Sequence, residues 1–243
     1  MKNYLFILLI CLGCASKKEI VAPKFESKIV SNEKLSCRAI FVDADKVWLG
    51  MDKGRYGFYD KKKDTLVVKT IQSVSNTTEF RSIGATKDAI FILAVGNPAK
   101  LIKIDKKSLQ ETIVYQEENE KVFYDSMQFV DNLNGFAMGD PTEDCLSFIK
   151  TTDGGNSWEK ISCANFPKVS EGEAAFATSN TNLIVKGKSI FMVSGGKKSR
   201  VFVSHDFGTS WQVYGTPIVQ GEEMTGIFTA DFYNENIGII AGG

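Results

Sequence analysis

The sequence predicts an all-β fold, a β-propeller of four-stranded antiparallel blades, on three observations. An octapeptide, Thr151-Thr152-Asp153-Gly154-Gly155-Asn156-Ser157-Trp158, returns as Ser204-His205-Asp206-Phe207-Gly208-Thr209-Ser210-Trp211. Each copy lies between two runs rich in β-branched and aromatic residues, the composition of strands. Aspartate-bearing turns recur at Asp60, Asp105, Asp153 and Asp206, with separations of 45, 48 and 53 residues (105 − 60, 153 − 105, 206 − 153). That period accommodates four short strands and their turns, the content of a propeller blade.

The octapeptide has the chemistry of a hairpin turn. Gly155 and Gly208 supply the positive φ that such a turn needs. Asp153 and Asp206 accept hydrogen bonds from backbone N–H groups of their own loop. Trp158 and Trp211 pack beneath it, each with an indole N–H seeking a partner. The turns at Asp60 and Asp105 lack the glycine and the tryptophan, so position and flanking strands carry their assignment.

The unit is written four times. Its first strand is Cys37–Phe41, Phe80–Gly84, Ser126–Val130 and Ala174–Ala177 in turn. Its second is Lys46–Gly50, Ala89–Ala94, Gly135–Gly139 and Ser189–Ser194. The third strand runs into each aspartate turn and the fourth leaves it, as in Thr65–Lys69 and Glu111–Tyr115. A fifth unit opens with Thr225–Ala230 and Ile237–Ala241. About four and a half blades thus occupy residues 33–243. Half a blade exposes an edge. Either the stretch around Ile29-Val30 supplies outer strands or the chain is a truncated piece of a longer ring, and truncation is the expectation.

Residues 1–14 read as a leader: Lys2, a ten-residue apolar run Tyr4–Gly13, then Leu12-Gly13-Cys14, which resembles a lipobox whose cysteine is lipidated. An ordinary secretory peptide is the alternative. Residues 15–32, with Pro23, read as a tether or outer strand. An envelope location, lipid-anchored on the periplasmic side or surface, follows. Cys145 and Cys163 flank the first octapeptide symmetrically, since 145 + 163 equals 151 + 157. They form either a cross-strand disulfide or two half-buried thiols. Cys37 is expected to face a core, unpaired.

With 29 basic and 29 acidic residues, the chain lacks the charge excess of a nucleic-acid binder. A single histidine, His205, argues against a histidine metal site or a Ser-His-Asp triad. No metal site and no cofactor is expected. Gly195-Gly196 is not followed by dinucleotide or Walker spacing and reads as a turn.

Function is expected on the face opposite the aspartate turns, where second-to-third-strand loops and blade-to-blade crossovers gather. Arg81, Lys100, Asp140 and Arg200 form the candidate binding rim. Arg81, Tyr124, Asp125, Glu171 and Glu173, with Arg38 beside them, are the catalytic candidates, in which guanidinium groups clamp a carboxylate and acids perform glycoside chemistry. The alternative is a set of ion pairs that brace adjacent blades.

The octapeptides match the Asp-box, or BNR repeat. Together with Phe80–Ile83, Gly96-Asn-Pro-Ala-Lys100, Phe123–Ser126, Gly139-Asp-Pro141, Glu171–Phe176, Gly195–Arg200 and Thr216-Pro-Ile-Val219, residues 35–243 resemble the WD40/YVTN/BNR-like bacterial propellers. These are similar to the photosystem II assembly factor propellers and are often labelled oxidoreductases. The resemblance implies a seven-bladed ring of roughly 340 residues. Sialidases share Asp-boxes and add Phe/Tyr-Arg-Ile-Pro, of which Phe80-Arg81-Ser82-Ile83 has the Phe-Arg pair without the proline. Three functions stand open. The first is a lipid-anchored module or scaffold binding a protein or envelope ligand such as a glycan; the others are a sialidase-like glycoside hydrolase and a cofactor-linked redox propeller.

Overall fold

A computed structural model describes residues 24–176 and 180–243. The first sheet is β1 (Cys37–Val42), β2 (Lys46–Met51), β3 (Arg55–Asp60) and β4 (Thr65–Thr70), paired in that order. The second repeats it with β5 (Phe80–Ala85), β6 (Ala89–Ala94), β7 (Ala99–Asp105) and β8 (Glu111–Glu117). The third has β9 (Tyr124–Phe129), β10 (Gly135–Gly139), β11 (Ser147–Thr151) and a short β12 (Glu159–Lys160). A two-residue strand, β13 (Glu173–Ala174), precedes the fourth sheet, which opens with β14 (Leu183–Lys186) and β15 (Ser189–Val193). Then β16 (Gly195–Gly196) turns aside to pair with β13, and β17 (Arg200–Ser204) and β18 (Gln212–Gly215) complete the sheet. Finally β19 (Ile227–Phe232) pairs with β20 (Gly238–Gly242).

Strands β1, β5, β9, β14 and β19 neighbour one another in succession. They border a channel of about 530 Å³ lined by Phe41, Ile83, Met127, Leu183 and Ala230. Each sheet is therefore a blade, with its first strand innermost.

The period-2 alternation of a strand explains the stacking. All six residues of β6 are buried. Ile90, Ile92 and Ala94 join a core with Trp48, Tyr56 and Phe58 of the first blade. Ala89, Phe91 and Leu93 join a second core with Tyr124, Met127 and Ala137 of the third. In β10, Phe136 and Met138 face the fourth blade while Ala137 faces the second. Each such isoleucine, leucine, phenylalanine or methionine contributes about 1.5–3 kcal/mol by leaving water. A strand apolar on both faces has no stable alternative to being sandwiched.

All four aspartate turns form. Asp60 accepts from the N–H groups of Lys62 and Lys63, both at 3.0 Å. Asp105 accepts from Lys107 at 2.9 Å and Ser108 at 2.7 Å. In the two full motifs Asp153 takes Asn156 and Ser157, and Asp206 takes Thr209 and Ser210. The turns also lock neighbouring blades. Gly155 has φ +77°, and a Cβ there would sit 2.3 Å from Phe91 of the preceding blade. Trp158 meets Phe129 edge-on at 5.6 Å and Phe91 at 6.3 Å, and Trp211 meets Phe148 of the preceding blade at 5.4 Å. The Trp211 indole N–H donates to Gly208 O at 3.1 Å.

Several expectations are corrected. The innermost strand of the fourth blade is Leu183–Lys186; Glu173–Ala174 instead pairs with Gly195–Gly196, beyond the end of that sheet. Ala175 and Phe176 form no strand, and Ala177 of the expected Ala174–Ala177 strand lies outside the described residues. Cys145 and Cys163 do form a disulfide, with Cα atoms 5.5 Å apart, but not across a hairpin. The pairs Ile149↔Lys160 and Lys150↔Glu159 set a register that would place Ala164, not Cys163, opposite Cys145. β12 also ends at Lys160, and Cys163 opens a one-turn 3₁₀ helix that brings its sulfur back. Cys37 is exposed rather than core-facing. Residues 24–36 hold no strand, Ile29 being 80% exposed, so they add no outer strand to a blade. The leader and Cys14 lie outside the described residues. Among the described residues no further sheet covers β1 or β20, and Ile40, Val42, Ile237 and Ile239 are exposed there.

The turn carboxylates make stability acid-sensitive. Burial opposes ionisation of Asp153, but the Ser157 hydroxyl and N–H and the Thr151 hydroxyl outweigh it and hold the group down at about 2. The Ser210 hydroxyl and N–H hold Asp206 likewise at about 2. Both lie below the ordinary 3.8, so their contribution is complete above that value and is lost as pH falls toward 2. Urea midpoints of the wild type should fall through this window, and Asp153→Asn/Asp206→Asn should show a flatter acid limb. Parallel limbs would contradict the assignment.

Candidate functional site

Antiparallel alternation places the starts of β5, β9, β14 and β17 and the ends of β6, β10 and β15 at one face, opposite the aspartate turns. The candidate residues Arg81, Lys100, Asp125, Asp140, Glu173 and Arg200 all belong to this face. They divide into a cleft and two buried or half-buried clusters, and Tyr124 belongs to a third.

The cleft, about 360 Å³, lies between the crossover from the first blade and the β6–β7 turn. Thr78, Glu79, Arg81, Asn97, Pro98 and Lys100 line it. Arg81 donates through Nε and Nη2 to one Glu79 oxygen at 3.1 and 2.9 Å, and its guanidinium lies over Phe123 at 5.6 Å. Lys100 Nζ donates to Ser73 O at 2.7 Å. The crossover is fixed by Val95 N–H donating to Glu79 O at 3.2 Å.

Asp125 follows Tyr124 into β9 and is fully buried, and neither carboxylate oxygen has a hydrogen-bond partner among the described residues. Burial first, then the Asp140 charge, push its pKa well above the carboxylate range, with Arg81 opposing. Asp140 is raised to about 6 by burial, against the pull of the Ala175 N–H that donates to Oδ1 at 2.9 Å.

Glu173 is buried and saturated. It accepts from Arg200 Nε at 2.8 Å, Arg200 Nη2, Ser194 Oγ at 2.6 Å and Ser170 N at 2.9 Å. Arg200 also reaches Lys168 O at 2.8 Å, tying the crossover into the fourth blade to β17. Tyr124 belongs elsewhere. Its hydroxyl and that of Tyr115 both donate to Glu117 Oε2 at 2.8 Å, and Lys160 closes an ion pair on the other Glu117 oxygen. Burial would raise Glu117, but Lys160 and the two tyrosines lower it overall, while burial raises Tyr115 and Tyr124. Glu171 and Arg38 are exposed.

The structure thus pairs Arg81 with Glu79 and Glu173 with Arg200, leaves Asp125 buried without a partner among the described residues, ties Tyr124 to Glu117, and exposes Glu171 and Arg38. Glycoside hydrolysis asks for two carboxyls flanking an open bond position, about 5–10 Å apart. Here one acid is buried and another is saturated by its arginine, so the arrangement is that of braces beside a cleft. Sequence reasoning missed Glu79, Tyr115, Glu117 and Lys160. The signal was partial: Tyr115 and Glu117 share a strand face by their spacing, whereas Lys160 meets them only through the stacking of blades. Asn180 was missed too. It takes Met127 N at 2.8 Å and donates to Ile83 O at 3.1 Å, clipping inner strands of two blades. Among the described residues no group of three acid, cysteine or histidine side chains is placed to hold a metal ion.

No protein-family model and no curated protein matches the sequence. Solved structures do match. U3-55K aligns over 88% of this chain and 60% of its own, with TM-score 0.63 and 12% identity. The fold is that of a β-propeller. The RRP9 WD40 repeats align over 88% of this chain and 59% of theirs, with TM-score 0.62 and 11% identity. The Cps50 (Swd1) β-propeller domain of Myceliophteria thermophila aligns over 85% and 62%, with TM-score 0.57 and 10% identity. The chain spans about three fifths of the length of these WD40 structures.

The brace at Glu173 predicts an asymmetry. Arg200→Ala strands a buried carboxylate and should cost about 3–5 kcal/mol in urea unfolding, whereas Arg200→Met/Glu173→Leu should recover most of the loss. Equal losses in both variants would show that the pair is not the brace described.

Proposed function

We propose that the chain is a binding module held at the cell envelope through a lipidated Cys14, and that its rim face engages a protein ligand through the cleft between the first two blades. One observation carries this reading: Asp125 is buried and Glu173 is saturated by its partners, while Arg81 and Lys100 line an open cleft. Two cations against one acid favour a segment bearing a carboxylate, and a rigid loop-built face is where propellers of this kind vary without cost to their core. The buried Cys145–Cys163 disulfide fits an oxidising compartment, which supports export.

The test is a peptide array from envelope proteins probed with the full chain, beside a panel of glycans and fluorogenic glycosides. Binding of a peptide subset that Arg81→Ala/Lys100→Ala weakens about tenfold or more, with no glycoside turnover, is expected. Glycoside turnover abolished by Asp125→Asn would replace this reading with the hydrolase.

A further inference from the structure

The half-blade presents an open strand edge. Tyr233 N–H donates to Ile237 O at 2.9 Å, and Gly226 and Gly243 exchange N–H···O bonds at 3.1 Å, so the odd-numbered residues of β20 turn their backbone toward β19. Gly238, Ile240 and Gly242 therefore turn theirs outward, and among the described residues no strand pairs with that edge. The outermost strands of the first three blades are blunted by charge, with Lys69 in β4, Glu111 and Glu117 in β8, and Glu159 and Lys160 in β12. β20 carries none. The fourth blade has four strands and the half-blade packed on it has two, so β17 and β18 overhang the edge. Tyr214 of β18, opposite Val201, is 52% exposed there. A ledge of this form admits one extended strand and has no room for a second blade brought edge to edge.

We propose that residues 24–30 of a second copy of this chain add to the β20 edge as a strand. This N-terminal arm is free to do so. It holds no strand of its own, Phe25 is 87% and Ile29 80% exposed, and only the exposed ion pair of Lys28 with Asp64, screened by water, ties residues 24–30 to the first blade. Alternation puts Phe25, Ser27 and Ile29 on one face of the extended arm and Lys24, Glu26 and Lys28 on the other. The apolar set turns under the overhang and continues the core that Ile240 and Val201 already join. The charged set then lies on the open face with Asp231, which stands opposite Ile239 and has no ion pair among the described residues. Two lysines against one glutamate complement that acid. The donor is a second copy because the arm of the same chain leads into the first blade, at the other end of the row from the half-blade. The same exchange made in return closes a two-fold pair.

The test uses the full chain with a photo-reactive phenylalanine derivative in place of Phe25, as an equal mixture of isotope-light and isotope-heavy copies. Cross-links from position 25 to peptides of β19 and β20 should join light copies to heavy ones, and sedimentation should show a dimer. Ile239→Lys, at a site 75% exposed, should leave the unfolding midpoint in place and weaken the mixed cross-link about tenfold or more, since a charge on the edge must be desolvated for pairing. A cross-link confined to one copy, a mixed cross-link that Ile239→Lys leaves unchanged, or a monomer that yields none overturns the proposal.

Discussion

Everything in this molecule depends on sheets that are apolar on both faces and must be covered twice. β6 is the plainest case, delivering Ile90 and Ile92 to one neighbour and Phe91 and Leu93 to the other. Packing of that kind fixes the spacing between blades, and the aspartate turns then fix their rotation. Phe91 fills the space where Gly155 would carry a side chain, and Trp158 closes over it. Glycine is required here for two reasons at once, its positive φ and the ring beside it. An alanine at that position would move a blade, not only a turn.

Stacked blades bring every crossover to one face, and the face is handled differently at each junction. Between the first and second blades the crossover leaves a cleft with Arg81 and Lys100 at its wall. Between the second and third, Tyr115, Tyr124, Glu117 and Lys160 fill the space with a closed polar cluster. At the entry to the fourth blade, Glu173 and Arg200 bind the crossover to β17. The disulfide adds a second restraint on the same segment, since Cys145 and Lys168 bridge beside it. Among the described residues the cleft opens at the first of these junctions, while side-chain clusters occupy the other two.

Much of this was legible in the sequence wherever the determinant is local. An aspartate that captures the N–H groups two to four residues ahead leaves its mark in one short window, so all four turns were found, including the two without glycine. Strand alternation gave the first and second strands of three blades within a residue or two. The fourth innermost strand was misplaced because crossovers carry no periodic signal and the alanines before Phe176 mimic a strand. The disulfide between Cys145 and Cys163 was one of two alternatives open in the sequence, and the hairpin geometry offered for it was wrong, a 3₁₀ turn doing what opposed strands do not. Charged rim residues were identified as a group, but their contacts separate them: Asp125 and Glu173 look alike in sequence, yet among the described residues one has no hydrogen-bond partner and the other is saturated. Such distinctions arise from contacts between blades that are distant in the chain.

Where a ligand sits decides between the two faces of the propeller. A photo-reactive side chain at Asn97, on the cleft, should cross-link a defined protein in cells that express the chain, and the same group at Asn156, on an aspartate turn at the opposite face, should not. Both residues are exposed, so access is matched. Cross-linking confined to Asn97 is the predicted result. Equal capture at both positions, or capture at Asn156 alone, would contradict the assignment of the rim as the binding face.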